Sequence, residues 1–129
     1  LDVFLTPRGD EMITPTELKE KSADLVKENG EFYWRESARL AYYAIFHEMC
    51  IVAQQYNIDL ENGEGGRHKR ALDNFAAYSE VASDFVYFAE RMKQYRIMSD
   101  YDIYTDFTKD NANAQQNLLI LCEDELAKM

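Results

Sequence analysis

The chain has 129 residues, of which 47% are hydrophobic and 29% charged. These proportions supply one compact core, leave too little chain for two comfortable domains and argue against wholesale disorder. Its formal net charge of −10 repels phosphate at long range, so neither DNA nor an anionic membrane surface is an expected partner. A local basic patch still acts within a Debye length of about 8–10 Å.

The opening "LDVFLTPRGDEM" has no basic region followed by an apolar block, so no signal peptide is expected. A start without Met is read as trimming, and the first dozen residues are expected to be partly disordered. "TPTE" at 14–17 then combines a capping Thr14, a proline at the first helical position and Glu17 three residues after the cap. This pattern predicts a helix running to the stop signal Asn29–Gly30. A second helix is predicted over about 31 to 57, with Phe32, Leu40, Tyr43, Ile51 and Tyr56 at helical spacing. It is apolar most of the way round, which suits the centre of a bundle.

"NIDLENGEGG" at 57–66 is the clear loop. Beyond it "RHKRALDNFAAY" starts a third helix, and Val81, Phe85, Phe88, Met92 and Tyr95 continue an amphipathic pattern to about Ser99. Ser79 or Ser83 is placed to cap a fresh start after a break near Tyr78. "DYDIYTDFT" reads as a turn with a short extended piece. Thr108 with Asp110 then begins a last helix that turns Ala112, Leu118, Leu119 and Cys122 inward. No alternating strand pattern, repeat or low-complexity tract interrupts the series. The expected fold is an all-α, up-and-down bundle of four or five helices.

Cys50 and Cys122 fall at apolar helical positions without metal-ligand spacing, which points to reduced core thiols in a cytoplasmic protein. No segment reaches the roughly 18 apolar residues of a membrane span. Metal readings fail on spacing. A di-iron bundle needs Glu-x-x-His, but Ala44 precedes His47 by three and Gly65 precedes His68 by three. Asp100, Asp102 and Asp106 begin an acidic run, yet Thr105 and Asn111 stand where a calcium loop needs glycine and glutamate. No metal or cofactor is expected. "GEGGRHKR" at 63–70 lacks the ending of a phosphate loop, although glycines before a helix N-terminus can hold an anion. Its cations oppose the helix dipole, a cost that a bound anion or neighbouring carboxylates offset.

"SARLAYYAIFHEMC" at 37–50 places Arg39 and His47 inside an aromatic-rich helix. Arg39 and Tyr43 share a face. Arg39 and His47, eight residues apart, diverge by about 80° and roughly 12 Å along the axis, so they border one groove without pairing. A buried arginine needs an anionic partner or a path to water, and Glu36, Asp100 and Asp102 are the candidates. Arg96 and Asp100, four apart, offer a local pair instead.

Three segments then line up with a known family. "RLAYYAIFHEM", "GGRHKRALDNF" and "RMKQYRIMSDYDIYTDFTKDNANAQQNLLIL" resemble, in order and spacing over about residues 30 to 126, one branch of the HEPN superfamily (higher eukaryotes and prokaryotes nucleotide-binding domains). The resemblance implies a helical bundle that forms homodimers. It further implies bacterial toxin–antitoxin or antiphage settings, often beside a nucleotidyltransferase partner, and in many members metal-independent endoribonuclease activity. Catalytic members carry an Arg followed after roughly four to six residues by a His. Here Arg96 matches the arginine, but Tyr101 stands where the histidine is expected and no histidine follows. Tyrosine, with an ordinary pKa near ~10, is a poor base at neutral pH.

The expected function is therefore a binding module for a protein partner, or for RNA or a nucleotide, in a groove bordered by Arg39, Tyr43, His47, His68, Lys69, Arg96 and Tyr101. The alternative is an endoribonuclease in which Arg39 and His47, with Arg96 from across a dimer, rebuild the cleavage site.

Overall fold

The computed structural model describes residues 13–129, and the expectations for the first dozen residues lie outside that range. Five helices follow in order: α1 (Pro15–Val26), α2 (Glu31–Gln55), α3 (Arg67–Ala76), α4 (Glu80–Tyr101) and α5 (Lys109–Leu126). Among the described residues there is no strand, so the segment after α4 is a turn and not an extended piece. No helix among them is long and apolar enough to cross a membrane.

The caps act as their chemistry dictates. Thr14 and Thr108 each accept a hydrogen bond from the backbone N–H three residues on, at 3.1 Å. Ser79 does the same for Ala82 at 3.0 Å and so settles which serine starts α4. The first helix stops at Val26, earlier than Asn29. Gly30, with φ +140°, is the cap residue of α2, and the chain must leave helical geometry before it to reach that conformation.

Helix α2 lies at the centre and packs on α1, α4 and α5, while α3 packs on α4. Its buried stripe runs through Ala38, Ala41, Tyr42, Ile45, Met49 and Ala53, all 2% exposed or less. The apolar series at helical spacing noted from the sequence is not this stripe: Phe32 is 69% exposed and Tyr56 is 39% exposed. In a helix apolar on every side, periodicity cannot choose the stripe. The alanines choose it, since small side chains let neighbouring helices approach closely. The α5 positions Ala112, Leu118, Leu119 and Cys122 are all buried as expected. Neither buried cysteine forms a disulfide.

Polar groups inside the bundle are tied across helices. Ser22 Oγ donates to the Ser37 carbonyl at 2.6 Å and Ser37 Oγ donates to the Ser22 carbonyl at 2.7 Å, locking α1 to α2. Gln115, fully buried, donates to the carbonyls of Ala38 and Met92 at 3.0 Å each. Arg35 closes the far end of α4. Its guanidinium donates to the carbonyls of Met98, Ser99, Asp102 and Thr105 at 2.6–3.1 Å, and Nε donates to Glu31 at 3.2 Å. The other Glu31 oxygen accepts from Phe107 N–H at 3.0 Å, so one ion pair seats the whole 102–107 turn on α2. A cation at a helix C-terminus also complements the dipole there.

Candidate functional site

The middle of α2 presents Arg39, Tyr43 and His47 to one side, and the first turn of α3 brings His68 against them. These four line a cavity of about 400 Å³ together with Ile13, Leu18 and Leu40. Arg39 and His47 do border one groove without pairing, as helix geometry requires. Arg39 is not a buried charge. Its side chain is 40% exposed and pairs with Glu36, Nε donating at 2.7 Å. Its guanidinium also lies 5.8 Å from the Tyr43 ring centre.

From α4, Arg96 comes against the rings of Tyr42 and Tyr43. Its guanidinium sits 5.5 Å from the Tyr42 ring centre and 5.8 Å from that of Tyr43, and it pairs with Asp100 at 3.3 Å. The Arg96 Nε is buried with no acceptor among the described residues. Tyr43 therefore has a guanidinium from each of two helices within 6 Å of its ring.

His68 is held by rings. It stacks on Phe46 at 4.1 Å between centroids, and its Nδ1 shares a hydrogen bond of 2.7 Å with the Tyr42 hydroxyl. His47 is 1% exposed and stacks on Tyr43 at 6.5 Å, with the Phe46 edge at 6.1 Å. Burial pushes His47 down to about 4. Burial does the same to His68, reinforced by Arg96, Lys93 and Arg67, and brings it also to about 4. Burial raises Tyr42, so its phenol stays protonated and available to its histidine partner. At neutral pH the site thus offers two fixed cations, two neutral imidazoles and a stack of aromatic rings. Such a set can clasp a planar group and an anion, but it has no imidazolium to give a proton.

Two expected residues lie elsewhere. Lys69 turns outward and pairs with Asp73 at 2.7 Å. Tyr101, 73% exposed, lines a separate shallow hollow with Gln94, Ile97, Met98 and Asp102. Five residues after Arg96 it has turned about 140° around α4. The remaining cations at the start of α3 share one carboxylate: Glu61 faces Arg70 at 3.5 Å and Arg67 at 3.9 Å. The dipole cost at α3 is thus offset from within the protein. Tyr42 and Phe46, which hold His68, were not singled out from the sequence. Their positions three and seven after Arg39 were the available signal, but aromatic residues there also fit a plain core. Among the described residues no three His, Cys, Asp or Glu side chains gather closely enough to hold a metal ion.

Comparison with known proteins finds no matching family model, no matching curated protein and no matching solved structure.

Proposed function

We propose that this chain is a HEPN-like helical module that binds a nucleotide or a single-stranded RNA segment in the Tyr43 cleft without turning it over. The observation that carries this reading is the placement of Arg39 and Arg96 around the ring of Tyr43, which together with Arg39, His47 and His68 lines a cleft of about 400 Å³. Aromatic and imidazole faces accept a base by stacking, and guanidinium groups recognise phosphate through several directed N–H donors. The negative charge of the whole chain opposes a phosphate at long range, and Arg39 and Arg96 act at contact distance, where the phosphate competes for them with Glu36 and Asp100.

Proton chemistry supports binding over cleavage. Metal-free RNA cleavage needs one group to take the 2′-OH proton and another to protonate the leaving oxygen. An imidazole held near 4 is protonated only about one part in a thousand at pH 7. The alternative, a metal-independent endoribonuclease, is favoured by the closeness of Arg39, His47 and Arg96 to Tyr43. The bacterial toxin–antitoxin or antiphage setting, the homodimer and the nucleotidyltransferase-type partner belong to the same proposal, through the resemblance.

Filter binding of a short single-stranded RNA across a salt series tests the reading. Contact with one or two phosphates gives a slope of about −0.7 to −1.4 in log affinity against log salt. Tyr43→Ala weakens binding by about tenfold, the size of one lost base stack. Absent or salt-insensitive binding refutes the proposal. Cleavage in EDTA that disappears in His47→Ala replaces it with the nuclease.

A further inference from the structure

We infer that Tyr42 fixes His68 as the tautomer carrying its proton on Nε2, and that this N–H holds an oxygen acceptor of the nucleotide in the Tyr43 cleft. The contact rests on the nucleotide reading above, and it is one that neither arginine can supply.

Tyr42 is fully buried, and the one partner of its hydroxyl among the described residues is His68 Nδ1, at 2.7 Å. A phenol both gives and takes a hydrogen bond, whereas each nitrogen of a neutral imidazole does one or the other. With the proton on Nδ1, the ring would donate to the tyrosine oxygen, and the tyrosine proton would be buried without an acceptor, which is costly. The tyrosine therefore donates and Nδ1 accepts. The one proton of the neutral ring then sits on Nε2. An imidazolium is opposed by the same bond, and burial with the Arg96, Lys93 and Arg67 cations holds the ring down to about 4.

Neighbouring rings fix where that N–H points. The imidazole stacks on Phe46 at 4.1 Å between centroids and stands edge-on to Tyr43 at 6.2 Å, with 77° between the planes. His68 forms part of the cleft wall with Arg39, Leu40 and Tyr43. Its Nε2 makes no hydrogen bond among the described residues yet is not sealed from solvent, so it opens on the cleft. Arg39 is held by Glu36 and Arg96 by Asp100, so a phosphate must compete with a carboxylate for either guanidinium. The imidazole donor has nothing to displace. It is preorganised for an acceptor oxygen, whether a carbonyl of the base, a ribose hydroxyl or an oxygen of the phosphate. Being uncharged, it adds affinity without releasing counterions.

A long-range ¹H–¹⁵N spectrum of the ¹⁵N-labelled chain at pH 7 reads the tautomer directly. It should show a protonated Nε2 and a bare Nδ1 for His68, and Tyr42→Phe should mix the two forms. In filter binding of short single-stranded RNA, His68→Ala should weaken affinity about fivefold at every salt concentration, the size of one neutral hydrogen bond, and leave the salt slope unchanged. His68→Gln, whose amide N–H reaches a similar place, should recover most of the loss, and Tyr42→Phe should fall between. Amide-shift titrations with uridine and uridine monophosphate then locate the oxygen. A His68→Ala loss shared by both places it on the base or ribose, and a loss confined to the monophosphate places it on the phosphate. Should His68→Ala fail to fold, the ring spectrum of the unaltered chain and the Tyr42→Phe affinity carry the test. A proton on Nδ1, a single tautomer that survives Tyr42→Phe, unchanged RNA affinity in His68→Ala, or a shallower salt slope in that variant overturns the inference and leaves the nucleotide reading in place. RNA that fails to bind the unaltered chain overturns both.

Discussion

Replacing His47 by Gln should flatten the acid side of the stability curve. The native ring, 1% exposed among Tyr43 and Phe46, is pushed down to about 4 by burial. In the unfolded chain an imidazole returns to about 6.5. Between these values the unfolded state binds more protons, so stability falls as the pH falls through that window and the loss is complete only below pH 4. At pH 5 the unfolded ring is almost fully protonated while the native one is about one-tenth protonated, a difference of about 2 kcal/mol. Urea unfolding at pH 7, 6, 5 and 4.5, followed by circular dichroism, measures it. Carboxylates also titrate at the acid end, but they are common to both proteins and cancel in the comparison. The wild-type chain should lose about 2 kcal/mol more than His47→Gln between pH 7 and pH 5. Parallel profiles would show that the ring does not change protonation on unfolding, and the account of a neutral, desolvated site would fail with it.

Arg35→Ala removes the donor shared by four backbone carbonyls and frees the 102–107 turn. It should destabilise the fold by about 2–4 kcal/mol in urea unfolding. Arg35→Lys should recover little, because an ammonium cannot span those acceptors with a planar fork. Asp100→Asn, which removes the carboxylate beside Arg96, should tighten RNA in the filter assay by about fivefold. Unchanged affinity would mean that Arg96 does not touch phosphate.

Much of the fold was open to sequence reasoning because its signals are local. Thr14, Ser79 and Thr108 cap helices through bonds to residues three positions away, and the 57–66 loop carries its own glycines. The inward face of α5 was likewise readable from an ordinary amphipathic pattern. The face of α2 was not. Where every side of a helix is apolar, only the approach of α1, α4 and α5 decides that Ala38, Ala41 and Ile45 go inside while Phe32 stays out.

The site divides the same way. Arg39, Tyr43 and His47 share a neighbourhood because they share one helix, and their spacing alone places them there. His68 and Arg96 join them from α3 and α4 only in the folded chain, through the Phe46 stack, the Tyr42 hydroxyl and the Tyr42–Tyr43 ring pair. Lys69, next to His68, and Tyr101, five residues after Arg96, point elsewhere because one or five helical steps rotate a side chain off the face. Residue types and local geometry therefore determine which cations and rings exist and where helices begin. The packing angle and depth of helices distant in sequence decide which of them meet, and so which imidazoles lose their water and stay neutral.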